Sequence, residues 1–208
     1  MTDIRALLFD FDGVLANTEP YHWQAWRLVL QGSGIDLTWD VYEQMCIGVS
    51  DVEMLDGLRS LAPAPVTLQE LKALYPMKRK AFNEIVASLS LVDSSMRDTL
   101  KALHDYRLGV VTSSNQTEIE PILLREGILP LFAAAVYGND VRLYKPHPDP
   151  YLLACERLGV DPGRTVVFED SMAGLASGRS AGCKVVAVGC PVEVAELVGR
   201  VVSGAYQF

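Results

Sequence analysis

Residues 6–13 read Ala6-Leu7-Leu8-Phe9-Asp10-Phe11-Asp12-Gly13, and this stretch decides the fold. Four consecutive apolar residues that stop at a carboxylate and a glycine describe a strand buried on both faces, as inside a parallel sheet, ending in a polar turn. The same form recurs downstream. Apolar runs at Leu108–Val111, Ala133–Tyr137, Thr165–Phe168 and Lys184–Val188 alternate with segments of helical periodicity. Examples of the latter are Ile119, Ile122, Leu123 and Leu124, then Tyr151, Leu152, Ala154, Cys155 and Leu158. Strands alternating with helices predict an α/β fold, a doubly wound parallel sheet with helices on both faces.

The alternation is interrupted once, after the first strand. From there to Leu108 the pattern is helix after helix, so the expectation is a Rossmann-like core made of residues 1–16 and 92–208, with residues 17–91 inserted as an α-helical cap. At 208 residues, one core with a substantial insertion is also the economical division. Within the insertion, Trp23, Trp26 and Leu30 form one apolar stripe, Val52–Leu61 a second, and Leu68–Val86 a third, long and charged. Gly32 and Gly34 are expected to end the first helix, and Pro63 and Pro65 to punctuate the approach to the third. Toward Phe208 the reading is a final strand followed by a short helix or none.

Half of the residues are apolar and 21% are charged, an ordinary globular composition that argues against disorder. A formal net charge of −8 without any Lys/Arg run disfavours nucleic acid as a partner. An anionic small molecule could still bind, provided local cations and a metal overcome the field at one pocket. Cys46, Cys155, Cys183 and Cys190 show no metal-ligand spacing and read as reduced thiols. No signal-like or membrane-length apolar run is present, so the expected setting is the cytoplasm, without a membrane partner, and the expected form a monomer.

Ligands of an open parallel sheet sit beyond the carboxyl ends of its strands. In this chain those ends are polar: Asp10-Phe11-Asp12-Gly13, Thr112-Ser113-Ser114-Asn115, Glu169-Asp170-Ser171, and Lys145 within Tyr144-Lys145-Pro146-His147-Pro148-Asp149. Any one of these is equally a helix cap or a turn. Together they bring carboxylates, hydroxyls and a cation to one rim. Crowded carboxylates call for a hard dication such as Mg²⁺, whose charge would let a phosphate approach Asp10. Hydroxyls and backbone amides suit the phosphoryl oxygens, and Lys145 suits developing negative charge. The pattern implies phosphoryl transfer through an aspartyl-phosphate.

Asp10-Phe11-Asp12-Gly13-Val14-Leu15, Val110-Val111-Thr112-Ser113-Ser114, Lys145-Pro146-His147-Pro148-Asp149 and Val167-Phe168-Glu169-Asp170-Ser171-Met172-Ala173-Gly174 resemble the four motifs of the haloacid dehalogenase superfamily. The likeness runs to Gly182, and the helical insertion resembles that family's cap, in particular that of the β-phosphoglucomutase-like phosphatases and mutases. The resemblance implies Asp10 as nucleophile, Asp12 as general acid and base, and either Thr112 or Ser113 as the second-motif hydroxyl. It implies Lys145 as partner of the phosphate and the nucleophile. Mg²⁺ would be held by Asp10, the backbone carbonyl of Asp12, and Asp170, with Glu169 as an acidic neighbour. A second acid at Asp12 suits an alkoxide, which needs a proton to leave, and not a halide, so dehalogenation is set aside.

His22, Trp26 and Lys78 match cap positions of the mutase-like branch. Trp26 reads as a core residue, Lys78 as part of a solvated charged face, and His22 as either an interior residue or a substrate contact. Ser114 and Asn115 are candidate phosphate contacts, with helix capping the simpler role for Asn115. Gly48-Val49-Ser50-Asp51 follows the mutase cap loop until Asp51, where those mutases typically carry an arginine, and Thr18-Glu19 is phosphatase-like. The expected activity is that of a phosphoric monoester hydrolase acting on a small phosphorylated metabolite, a sugar phosphate first. A phosphosugar mutase is the alternative, and a non-catalytic metabolite-binding module the third reading.

Overall fold

The computed structural model describes residues 3–47 and 51–208, apart from the side chains of Asp51 and Val52. Two compact units result: residues 3–17 with Ser90–Phe208, and Thr18–Leu89.

The first unit holds a five-stranded, wholly parallel sheet. Its strands are β1 (Ala6–Phe9), β2 (Arg107–Val111), β3 (Ala134–Val136), β4 (Thr165–Glu169) and β5 (Lys184–Ala187), in the order β3-β2-β1-β4-β5. β1 is central because it is apolar on both faces, and all four of its residues are buried. Phe9 pairs with Val110 on one side and Phe168 on the other, and the Phe9 and Phe168 rings stack at 4.9 Å. Burying a phenylalanine contributes about 1.5–3 kcal/mol. Leu8 and Ala6 face the cluster of Val111, Val136, Tyr151, Ala154, Cys155 and Val167. The order reverses at β1, whose neighbours are β2 and β4, and this is where the strand ends of such a sheet open a crevice.

The second unit is helical: α1 (Glu19–Leu30), α2 (Trp39–Met45), α3 (Asp51–Arg59), α4 (Leu68–Lys72) and α5 (Tyr75–Val86). Trp26, Leu30, Ile35, Leu37, Tyr42, Leu55 and Leu58 share its core, so Trp26 is interior, as its apolar stripe suggested. Gly34, at φ +70°, ends the turn that follows α1.

Three expectations change. The single helix at 68–86 is two, because Pro76 lacks an amide proton and settles in the first turn of α5, where no intrahelical donor is needed. α2 goes unanticipated from the sequence; the Thr38 hydroxyl caps it by accepting from the Val41 amide at 3.3 Å. At the C-terminal end, α6 (Ser94–Ala102), α7 (Gln116–Arg125), α8 (Asp149–Leu158) and α9 (Met172–Ser180) are followed by a 12-residue α10 (Pro191–Val202), not by a short or missing helix. Its Val194, Val198 and Val201 form a buried stripe. Among the described residues, no helix is long and apolar enough to cross a membrane.

Candidate active site

The ladder between β1 and β4 continues one residue past the strand, where the Asp10 amide donates to the Phe168 carbonyl at 3.0 Å. The Phe11 amide then donates to Asp10 Oδ1 at 2.7 Å, so the carboxylate is fixed where the strand ends. The chain turns at once. Gly13 has φ +76°, and a Cβ there would fall 1.8 Å from Asp170 Oδ2, so both the turn and the approach of β4's carboxylate require glycine. The turn also directs Asp12 toward the end of β2. Its Oδ2 accepts from Thr112 Oγ1 at 3.2 Å and from Ser114 Oγ at 2.9 Å.

Lys145 approaches from the loop before α8. Its Nζ lies 3.1 Å from Asp10 Oδ1, 2.6 Å from Glu169 Oε1 and 3.1 Å from the Val111 carbonyl, so its three protons have three acceptors. Glu169 is wholly buried. Its Oε1 also accepts from the Tyr151 hydroxyl at 2.7 Å, and its Oε2 accepts from the Ser171 amide at 3.1 Å and the Ser171 hydroxyl at 3.0 Å. Ser171 at the same time caps α9 through the Gly174 amide.

The charges are unbalanced. Burial, then the Glu169 carboxylate, push Asp10 well above the ordinary carboxylate range, against the pull of Lys145. Asp170 is exposed as a residue, yet desolvation of its carboxyl group and the charge of Glu169 raise it to about 7. Glu169 goes the other way, since Lys145 and the donors around it outweigh its burial. Burial alone would lower the Lys145 ammonium, but Asp10 and Glu169 hold it above the usual lysine value. Burial and the Glu169 charge keep the Tyr151 hydroxyl protonated far above the ordinary range.

One oxygen each from Asp10, Glu169 and Asp170 lie within 4.8 Å of one another, a spacing that one hard dication can span. The donors suit such an ion, and the raised Asp10 and Asp170 mark more carboxylate charge than the single Lys145 ammonium offsets. Glu169 already accepts from Lys145, Tyr151 and both donors of Ser171, which fills the directions a carboxylate offers. Asp10 and Asp170 are therefore the carboxylates with capacity for an ion, and Glu169 balances Lys145.

The other candidates divide. Thr112 is 2% exposed, and its Oγ1 also accepts from the Ser114 amide at 3.0 Å, whereas Ser113 is exposed. Asn115 caps α7 by accepting from the Thr117 amide at 3.1 Å. His147 pairs with Asp149 at 3.0 Å, and His104 stands exposed beside Asp105.

In the helical unit, the solvated-face reading of Lys78 is overturned. Lys78 is buried, because His22 Nδ1 receives its Nζ at 2.8 Å and the rings of Phe82 and Trp26 lie 5.2 and 5.8 Å from it. His22 is itself buried and stacks on Phe82 at 4.1 Å. Gly48, Val49, Ser50 and the Asp51 side chain lie outside the described residues.

Sequence reasoning missed Tyr151 as a site residue, and it put Ser171 on the polar rim without a role of its own. Tyr151 reads as one more apolar position on α8. The available signal was the hydroxyl of Tyr151 on a fully buried helix face six residues after Lys145.

The pattern of the haloacid dehalogenase-like hydrolase family matches residues 4–182. The chain is 34% identical to a "phosphorylated carbohydrates phosphatase" of Thermotoga maritima over 86% of this chain and 82% of that protein. It is 33% identical to the "fructose-1-phosphate phosphatase YqaB" of Escherichia coli over 88% of this chain and 95% of that one. The crystal structure of CbbY from Rhodobacter sphaeroides in complex with phosphate superimposes with a TM-score of 0.75 at 28% identity, covering 88% and 85% of the two chains.

Proposed function

From the chain's membership in the haloacid dehalogenase-like hydrolase family, which the match over residues 4–182 shows, we propose an Mg²⁺-dependent phosphatase that hydrolyses a phosphorylated sugar through an aspartyl-phosphate on Asp10. The observation that carries this reading is the placement of Asp10. It is a buried carboxylate fixed by a backbone amide at the central strand end, with a cation on one side and Asp170 on the other.

Asp10 attacks phosphorus, and the bond from phosphorus to the sugar oxygen breaks. Asp12, oriented by Thr112 and Ser114, gives the departing alkoxide its proton. A water then attacks the aspartyl-phosphate, Asp12 takes the proton from that water, and inorganic phosphate leaves with Asp10 restored. Lys145 offsets negative charge on the phosphoryl oxygens and on Asp10. Bound through Asp10, Asp170 and the Asp12 carbonyl, Mg²⁺ would supply the positive charge that lets a phosphate dianion approach a carboxylate.

The two curated phosphatases named above support phosphorylated sugars as the substrate class. The helical unit serves as the cap, with boundaries near 17–91, and His22 and Lys78 are its candidate substrate-binding residues. Ser114, whose hydroxyl donates to Asp12 and whose amide donates to Thr112, acts on the phosphoryl group through them, while Asn115 acts through the start of α7. The enzyme works as a cytoplasmic monomer without nucleic acid or membrane. The buried Lys78–His22 contact at mutase-like positions favours a phosphosugar mutase as the second reading.

Phosphate release from a panel of phosphorylated sugars, with Mg²⁺ and with EDTA, tests the proposal when wild type is compared with Asp10→Asn. Release that needs both Mg²⁺ and Asp10 is expected, with a loss of roughly three orders of magnitude or more in the variant. Isomerised sugar phosphate without free phosphate would move the assignment to a mutase. An inactive chain that still binds ligand would move it to a binding module.

A further inference from the structure

We propose that Tyr151 is a positioning residue for this reaction, dividing the Lys145 ammonium between Glu169 and the nucleophile Asp10; the inference rests on the phosphatase reading above.

The geometry singles out the hydroxyl. Tyr151 is fully buried on α8, and its oxygen donates to Glu169 Oε1 at 2.7 Å. That same oxygen accepts Lys145 Nζ at 2.6 Å, a shorter contact than the 3.1 Å from Nζ to Asp10 Oδ1. Two donors therefore compete for one carboxylate oxygen. Both donors draw on the lone pairs of the one oxygen, so acceptance from Tyr151 weakens the hold of Oε1 on Lys145. The Tyr151 hydroxyl thus keeps Glu169 from taking the ammonium outright, so that Lys145 still serves Asp10 and the phosphoryl group.

The ring has a separate task. Its face lies 5.2 Å from Lys145 Nζ, so the aromatic body both fills the core beside Val111 and Ala154 and borders the ammonium. Ring and hydroxyl can be separated experimentally. Tyr151→Phe keeps the volume and the ring face and removes only the donor. Leu158→Ala, on the same helix and in the same apolar cluster, removes packing and touches none of these polar groups.

The test measures kcat and KM for Mg²⁺-dependent phosphate release from a phosphorylated sugar and from an aryl phosphate, together with thermal melts. The proteins compared are wild type, Tyr151→Phe, Leu158→Ala, Lys145→Ala and the double variant Tyr151→Phe/Lys145→Ala. Tyr151→Phe is expected to lower kcat about tenfold, the lower end of what losing a partner behind a catalytic ligand costs, with KM nearly unchanged. Leu158→Ala is expected to lower the melting temperature more and kcat less. In the Lys145→Ala background the phenylalanine should have no further effect, because the group through which Tyr151 acts is gone. A kcat for Tyr151→Phe equal to wild type would overturn the proposal. So would a decrease that adds in full to that of Lys145→Ala, since packing alone gives additivity. A wild type without turnover on either substrate would remove the phosphatase reading and this one together, whereas an active wild type with an unimpaired Tyr151→Phe removes only this one.

Discussion

Lys145 Nζ lies 3.1 Å from Asp10 Oδ1, and the two side chains are 5% and 10% exposed. So dry a contact is a poor source of net stability, because removing both charges from water offsets most of their attraction. Its value is positional: it holds a cation beside the nucleophile before substrate arrives, where low dielectric strengthens its effect on developing charge. The same dryness makes the loss of one partner expensive.

Replacing Lys145 with methionine keeps the volume and strands the carboxylates. Activity is expected to fall steeply to a measurable residue, and stability to fall by about 3–5 kcal/mol at neutral pH, the usual cost of orphaning a buried charge. The pH dependence has a definite sign. In wild type Glu169 is held below its ordinary value of 4.5, so it contributes stability above that value and loses it as pH falls through the folded pKa. Without Lys145 the hydrogen bonds from Tyr151 and Ser171 are left to oppose the burial of Glu169, its pKa rises, and the stability it contributes above 4.5 shrinks or turns into a penalty. Thermal melts at pH 5 and pH 8 should show the wider gap between wild type and variant at pH 8. A gap that does not vary with pH would mean that Glu169 does not depend on Lys145.

Magnesium should stabilise the protein more at high pH than at low. Burial, with the Glu169 charge, raises Asp170 from 3.8 to about 7, so its contribution to stability is full below 3.8 and is lost as pH rises through 7. Asp10 is displaced in the same direction. A dication relieves the penalty only where those groups are ionised. Melting curves with Mg²⁺ and with EDTA from pH 5 to 8 should show a Mg²⁺-induced upshift that grows with pH. Equal upshifts at both ends would argue that the ion binds away from Asp10 and Asp170.

Much of this site is legible in the residue pattern because strand ends write it contiguously. Asp10, Thr112 and Asp170 each follow an apolar run within the same short stretch, and the sheet then does the assembling. What the pattern does not reveal are partnerships across segments. Nothing in the sequence near Tyr151 says that its hydroxyl meets Glu169, and nothing near Lys78 says that His22 lies 2.8 Å away, since each pair is joined only by packing. The break between α4 and α5 stayed hidden for a different reason. Leu71, Phe82 and Val86 keep an apolar stripe through it, and only Pro76 marks the restart.

The second-motif hydroxyl separates Thr112 from Ser113. Thr112 Oγ1 donates to Asp12 Oδ2 and accepts from the Ser114 amide, whereas Ser113 is exposed. Thr112→Ala should therefore lower kcat about tenfold to a hundredfold, as losing the partner that orients a reacting group does. Thr112→Ser should retain most of the activity, and Ser113→Ala should stay within about twofold, as exposed substitutions usually do. Steady-state kinetics of the three variants decide it; a large loss in Ser113→Ala alone would reverse the assignment.

Gly174 gives the sharpest steric prediction. In the interior of a helix, alanine ordinarily stabilises relative to glycine by about 1 kcal/mol. Gly199 of α10 is such a case, since an added Cβ meets nothing within 4 Å. At Gly174 a Cβ would lie 1.8 Å from Glu169 Oε1 and 1.9 Å from its Cδ, inside atoms that hold Lys145 and Tyr151. Gly199→Ala is expected to raise the melting temperature with kcat unchanged. Gly174→Ala is expected to cost about 1–3 kcal/mol through overpacking and to lower kcat, because the carboxylate that must yield is the one anchoring Lys145 beside Asp10. Melts and phosphate-release kinetics on the two variants test this directly. A Gly174→Ala protein as stable and as active as wild type would show that Glu169 can move without disturbing Lys145, and would remove Glu169 from the account of how the ammonium is held.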